Sequence, residues 1–255
     1  MEVLIHRSAE AGGRVVADVV EDVVRRGPTV LGLATGSSPL LAYAELIRRH
    51  REEGLSFARV EAFLLDEYVG LPAGHPESYR EVIRRELTGH LDIDADRVHA
   101  PGGSHPDPPA AAAEYEKSLV GVGVQILGIG TNGHIGFNEP GSSLMSLTRV
   151  KTLARQTRDD NARFFGDSID AVPRHVITQG LGTIARAGHL VLTAAGEHKA
   201  AAVAAAVEGP LTASCPASIL QWHPHVTVVL DDAAASRLER ASFYREIAAQ
   251  KPAWA

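Results

Sequence analysis

Short apolar runs of strand length alternate along this chain with longer stretches whose apolar residues recur at helical spacing. Val3–Ile5, Thr29–Leu33, Val60–Leu65, Val124–Leu127, His189–Thr193 and Val226–Leu230 have the composition of strands. Ala9–Arg25, the stretch from Pro39 to about His50, Glu77–Leu91, Ala110–Leu119, Glu197–Val207 and Ala233–Ala249 have the spacing or propensity of helices. Ser37 or Ser38 is expected to cap the second helix, with Pro39 in its first turn. Strand alternating with helix places parallel strands side by side with the connecting helices above and below them. The expectation is a doubly wound, mostly parallel α/β sheet with helices on both faces, in one domain spanning 1–255. The His105-Pro-Asp-Pro-Pro109 segment is a surface connection, because the alternation resumes after it.

The polar loops follow the strands in a regular way. Thr35-Gly-Ser-Ser38 follows one strand, Asp66-Glu-Tyr68 another, and Gly128–Glu139 a third. In open parallel sheets, ligands bind beyond the carboxyl ends of strands, where the strand order reverses. Three such loops converging there would surround one pocket with an anion cradle, a carboxylate base and a His–Glu pair, the equipment for moving protons on a small substrate.

Composition narrows the partners. A formal charge of −6 and a pI near 6.0 argue against nucleic acid or an anionic membrane surface, both of which select basic proteins. No apolar run approaches the ~20 residues of a membrane span, and the start lacks the pattern of a signal peptide. The single cysteine, Cys215, excludes an internal disulfide and fits a reducing compartment, so a cytoplasmic protein is expected. Cys215 itself reads as a small hydrophobe.

Gly128-Ile-Gly-Thr-Asn-Gly133 matches the glycine pattern of a dinucleotide site. That motif needs a helix directly after its glycines, and the following His-Ile-Gly-Phe-Asn-Glu-Pro-Gly141 is poor helix sequence. The glycines are better used to turn the backbone sharply against a ligand. Thr35-Gly36-Ser37-Ser38, at a strand-to-helix junction, suits either a phosphate cradle or an ordinary helix cap. Asp66 reads as a functional acid or a turn cap, and His134 with Glu139 as a catalytic or a structural pair. His75, His223 and His225 have no partners at zinc-like spacing, so no metal is expected.

Taken together, Leu65-Asp-Glu-Tyr-Val-Gly-Leu-Pro-Ala-Gly-His-Pro-Glu-Ser-Tyr79 and Gly133-His-Ile-Gly-Phe-Asn-Glu-Pro-Gly-Ser-Ser143 closely resemble the glucosamine-6-phosphate deaminase family. The likeness extends to Leu33-Ala-Thr-Gly-Ser-Ser-Pro-Leu40, Thr148-Arg-Val-Lys-Thr-Leu153, Asn161-Ala-Arg-Phe-Phe165 and Gly196-Glu-His-Lys199, so it covers almost the whole chain. The resemblance implies that Asp66 is the enolising base and that His134, assisted by Asn132 and Glu139, opens the sugar ring. It implies that Arg163 and Lys199 join Thr35, Gly36, Ser37 and Ser38 in holding a phosphate. A mobile lid at 153–173 carrying Arg163, no cofactor, and an amino-sugar phosphate as the small-molecule partner are also implied. Ser142, Ser143, Arg149 and Lys151 match positions that bind the activator N-acetylglucosamine 6-phosphate in hexameric relatives, and a homo-oligomer is compatible with the likeness.

Two positions depart from the common pattern. Residue 132 is Asn where many relatives carry Asp, and Leu147 replaces a frequent Arg. Competing readings are a deaminase of another amino-sugar phosphate such as galactosamine 6-phosphate, a 6-phosphogluconolactonase of the same fold, and a sugar-phosphate-binding regulator without turnover. A lactonase has no use for an enolising Asp66, and the intact Asp66, His134 and Glu139 favour turnover.

Overall fold

The computed structural model describes residues 1–252. Seven strands form one parallel sheet: β1 (Glu2–His6), β2 (Thr29–Leu33), β3 (Val60–Leu64), β5 (Val98–His99), β6 (Val124–Leu127), β9 (His189–Ala194) and β10 (Val226–Asp231). Their spatial order is β1-β10-β9-β6-β2-β3-β5, and every pairing is parallel. From β2 the chain moves outward through β3 to β5. It then returns to β6, on the other side of β2, and proceeds through β9 to β10. The strand order therefore reverses between β2 and β6, and a crevice opens beyond their carboxyl ends.

The helices are α1 (Ala9–Arg26), α2 (Leu40–Glu53), α3 (Tyr79–Glu86), α4 (Pro108–Ser118), α5 (Arg155–Asn161), α6 (Leu181–Ile184), α7 (Ala200–Val207) and α8 (Ala241–Ala249). Two cores lie on opposite faces of the sheet, as the alternation predicts. Val191 and Val229 face Val16, Val20 and Val24 of α1 and Tyr43 and Leu46 of α2. Their strand neighbours Leu190, Leu192, Val228 and Leu230 face Val203, Ala206 and Val207 of α7. In α1 the Ser8 side chain accepts from the Ala11 amide at the start, and Arg25 and Arg26 lie at the carbonyl end. Among the described residues, no helix is long and apolar enough to cross a membrane.

A second sheet of three antiparallel strands, order β4-β8-β7, stands beside the first: β4 (Asp66–Tyr68), β7 (Arg149–Thr152) and β8 (His175–Thr178). The sequence reading had none of these strands, nor β5. The chain leaves the parallel sheet at Leu65, whose amide still bonds to the Leu33 carbonyl while its own carbonyl accepts from Gln179. Asp66 thus begins a new strand rather than a loop.

Helix boundaries also differ, and the 197–207 stretch opens as a 3-10 turn, Glu197–Lys199, before α7. The 77–91 stretch is a shorter helix, α3, capped by Ser78, followed by a 3-10 turn at Thr88–His90. Helix 233–249 is confined to α8, because the Asp231 carboxylate takes the Ala234 amide and folds the preceding residues into turns. Neither Ser37 nor Ser38 caps α2. Pro39 occupies the cap position without a side-chain hydrogen bond, so the first-turn amides and the serine hydroxyls are left for a ligand.

Candidate active site

A cavity of about 410 Å³ lies beyond the carboxyl ends of β2 and β6. It is lined by Thr35, Gly36, Ser37 and Ser38 from the β2 loop, Asp66 from β4, and His134 from the β6 loop. Arg163 and Lys199 complete the wall. Eight of the ten residues singled out for chemistry or phosphate thus meet in one place, while Asn132 and Glu139 stand behind His134.

The Thr35–Ser38 loop is set by burial of Tyr43 in α2. Its hydroxyl donates to the Ala34 carbonyl at 2.7 Å and accepts from the Ala34 amide at 3.2 Å, fixing where the chain departs from β2. The positive end of α2 then faces the cavity beside two cations. Lys199 is half-buried in a 3-10 turn, Glu197–Lys199, and its pKa is lowered by that burial, with the Arg163 charge acting in the same direction. An incoming dianion would relieve both effects.

Asp66 is 5% exposed, and among the described residues no donor bonds to its carboxylate. Desolvation, reinforced by the neighbouring Glu67 charge, pushes its pKa up to about 8. A carboxylate kept this free of hydrogen bonds is a proton acceptor in waiting. Gly136 lies close by: a Cβ there would come within 3.4 Å of Asp66 Oδ2.

The β6 loop places His134 through its glycines. A Cβ at Gly130 would lie 2.2–2.5 Å from the imidazole ring, so only glycine leaves room for the ring where it sits. Gly133 has φ +83°, with Cys215 Sγ packed 2.7 Å from where its Cβ would be. Cys215 is therefore a packing residue under the β6 loop, consistent with its reading as a hydrophobe.

Behind the ring runs a chain of hydrogen bonds. His134 Nδ1 lies 2.7 Å from Asn132 Oδ1, and Asn132 Nδ2 donates to Glu139 Oε2 at 2.7 Å. Glu139 itself is 3.9 Å from the ring, beyond hydrogen-bond reach, so it acts on the ring by its charge and, through Asn132, by hydrogen bonding. The other Glu139 oxygen, Oε1, accepts from the Thr157 hydroxyl of α5. The polarity of this chain is set by Glu139 and by the His134 backbone amide, which donates to Asn132 Oδ1 at 3.2 Å. An ionised Glu139 only accepts, so Asn132 must turn its amide nitrogen toward it and its oxygen toward the ring. That oxygen in turn requires a proton on Nδ1, which leaves the Nε2 lone pair free as a base. Burial lowers the His134 pKa, opposed by Glu139, and so favours the neutral ring this role needs.

Ser142, Ser143, Arg149 and Lys151 lie outside the cavity wall. Arg149 Nη1 donates to Asn138 Oδ1 at 2.8 Å, and Asn138, fully buried, holds the carbonyls of Ile135 and Gln179. Ser142 Oγ is buried without a hydrogen-bond partner. Sequence reasoning missed Thr157, Tyr79, Asp160 and Asn161, all of which line the cavity. Tyr79 ends one of the family-like motifs and Asn161 begins another, whereas Thr157 and Asp160 lie outside all of them. No group of three or more metal-ligating side chains assembles among the described residues.

A family model for glucosamine-6-phosphate isomerases and 6-phosphogluconolactonases matches residues 5–229. The chain is 60% identical to the glucosamine-6-phosphate deaminase of Rhodococcus jostii RHA1 and 59% identical to that of Rhodococcus opacus B4, in each case over all of this chain and 99% of the relative. Among solved structures, a monomeric glucosamine-6-phosphate deaminase superposes with a TM-score of 0.90 at 42% identity, covering 92% of this chain and 99% of the other. The 6-phosphogluconolactonase of Trypanosoma brucei superposes with a TM-score of 0.75 at 18% identity, covering 93% and 98%, a likeness of fold.

Proposed function

The chain belongs to the family of glucosamine-6-phosphate isomerases and 6-phosphogluconolactonases, and we propose that its cavity carries out the deaminase branch of that family's chemistry. The enzyme is a glucosamine-6-phosphate deaminase: it converts glucosamine 6-phosphate to fructose 6-phosphate and ammonia. The observation that carries the assignment of roles is the pairing, in one cavity, of an unbonded buried carboxylate, Asp66, with an imidazole whose Nε2 is free. A lactonase, which only adds water to an ester, needs no such carboxylate.

Phosphate at Thr35–Ser38, held by Arg163 and Lys199, anchors the sugar far from the reacting carbons and so converts binding energy into orientation. His134 Nε2 takes the proton of the anomeric hydroxyl and delivers it to the ring oxygen, opening the ring to the aldehyde. Asp66, as carboxylate, removes the proton from C2, and the electron pair forms the C1=C2 bond of an enolamine while the C1=O π pair moves to O1, which takes up a proton from the substrate ammonium. The same carboxyl returns the proton to C1 through the C1=C2 electron pair, and the nitrogen lone pair forms the C2=N bond of a ketimine. Water adds to that carbon and ammonia departs. A substrate ammonium beside Asp66 opposes the effects that raise its pKa and favours the ionised form. Segment 153–173, bearing Arg163, acts as a lid over the phosphate.

The monomeric state of the 42% identical solved deaminase supports a chain that works alone. A charged sugar phosphate crosses membranes poorly, which supports a cytoplasmic place of action. The test is release of ammonia from glucosamine 6-phosphate and from galactosamine 6-phosphate by the purified protein, with and without chelator. Turnover of the gluco epimer in chelator is the expected result; tight binding without ammonia from either sugar would overturn the reading.

A further inference from the structure

Thr157 is buried on α5, and its hydroxyl donates to Glu139 Oε1, eighteen residues earlier in the chain. Glu139 has only two oxygens for anchoring, and the other receives Asn132 Nδ2. If Oε1 loses its donor, the carboxylate is held by one hydrogen bond from an exposed amide and is free to rotate. Asn132 Nδ2 then faces an acceptor that is no longer fixed, and only the His134 backbone amide, 3.2 Å from Asn132 Oδ1, still orders the side chain. A flipped Asn132 presents NH₂ to His134 Nδ1, which demands the lone pair on Nδ1 and moves the proton to Nε2. That tautomer has no base facing the substrate.

We infer that Thr157 is a positioning residue for ring opening: its hydroxyl, acting through Glu139 and Asn132, holds His134 in the tautomer with Nε2 unprotonated. The inference rests on the proposed role of His134. It also explains why this threonine sits on α5. The segment that brings Arg163 to the phosphate brings Thr157 to Glu139, so one element serves both ends of the substrate. The same helix makes a second bond to the body, from Asn161 Nδ2 to the Tyr68 hydroxyl at 3.1 Å. That bond fixes α5 without touching the imidazole chain, so a loss at Thr157 can be separated from a loose helix.

The test compares Thr157→Val, which keeps the shape and removes the hydroxyl, with Thr157→Ser, which keeps the hydroxyl. Expected for Val is a fall in kcat of about tenfold to a hundredfold, the size of a misplaced catalytic group, with KM within about threefold. Ser should retain kcat within about threefold. In ¹⁵N-histidine spectra of the substrate-free protein, His134 should be Nδ1-protonated in wild type and Ser, and a tautomer mixture in Val. Should Val not fold, Thr157→Ala in the same spectra answers the question. A hydroxyl that only satisfied a buried polar group would leave the tautomer unchanged on replacement. Wild-type kcat and tautomer in Val, or in Ala, would overturn the inference while leaving the role of His134 intact. His134→Gln is the control for that role: full activity there would overturn both.

Discussion

Asp66 and Glu67 are adjacent in β4 and equally buried, yet their carboxylates have opposite surroundings. Glu67 accepts from the backbone amides of Tyr68, Tyr79 and Arg80 at 2.8–3.0 Å, so it closes the loop before α3 and caps that helix. Asp66 accepts no hydrogen bond from the described residues, and its pKa is raised by burial and by the charge of Glu67 itself. One carboxylate is committed to structure, and its presence raises the basicity of the other. Environment, not residue type, separates the two roles.

Replacing Asp66 with Asn should abolish deamination and exchange of the C2 hydrogen with solvent deuterium, while leaving binding of substrate within a few-fold. The same variant should gain stability in a pH-dependent way. The folded-state pKa of Asp66 lies near 8, above the usual carboxylate value, so the native state holds this proton more tightly than the unfolded chain. Wild-type stability from this group is therefore full below about pH 4 and lost as pH rises toward 8. Asn has no proton to lose. The rise in Tm of Asp66→Asn over wild type should be greatest above pH 8 and shrink toward pH 4, each kcal/mol being worth about 2–4 °C in a chain of this size. Equal melting curves at pH 9, or continued C2 exchange at the wild-type rate, would remove Asp66 from the role of buried base.

Arg163 and Lys199 come from different elements and meet only at the cavity. Charge-assisted hydrogen bonds to phosphate are worth about 1.5–3 kcal/mol each, so Ala at either position should raise KM roughly ten- to a hundredfold. Arg163→Ala should also lower kcat, if its segment closes over the substrate, whereas Lys199→Ala should act on KM alone. Initial-rate kinetics on glucosamine 6-phosphate, with unphosphorylated glucosamine as control, decide this. Wild-type rates on the unphosphorylated sugar would dissolve the phosphate assignment.

The parallel sheet was legible because β9 and β10 are covered on both faces and so read as continuous apolar runs. The small sheet was not, because Asp-Glu-Tyr and Arg-Val-Lys-Thr carry charges whose partners lie far along the chain. Glu67 needs the amides of Tyr79 and Arg80, and the backbone of β4 needs β8 more than a hundred residues later. His-Val-Ile-Thr at 175–178, three of its four residues β-branched, did carry a strand signal. The ends of the active site were visible as motifs, since Asp66 and His134 follow strands among glycines. The connection between His134 and α5 was not, because a threonine bonded to a glutamate eighteen residues away leaves no local pattern. Nor did spacing reveal that Asn132 stands between the ring and Glu139.

That intermediate place gives the substitution at 132 a definite consequence. In Asn132→Asp the donor to Glu139 disappears, and two carboxylates face each other across 2.7 Å. Both cannot stay ionised at that separation without large cost, so the pair should titrate as a coupled unit and share a proton near neutrality. With one negative charge shared between the two carboxylates, or with two, the mean charge lies closer to the imidazole than the charge of Glu139 alone does now, 3.9 Å away. Opposite charge favours the protonated ring, so the His134 pKa, lowered by burial in the parent, should rise. The pH–rate profile alone would blur this, since the acid limb of kcat/KM also contains the titration of Asp66 near pH 8. An NMR titration of the His134 ring in the substrate-free protein isolates it. The ring should titrate at higher pH in Asn132→Asp than in wild type, and the variant should lose activity first on the acid side. A His134 pKa that stays or falls would show that Asn132 sets the ring's tautomer without governing its charge.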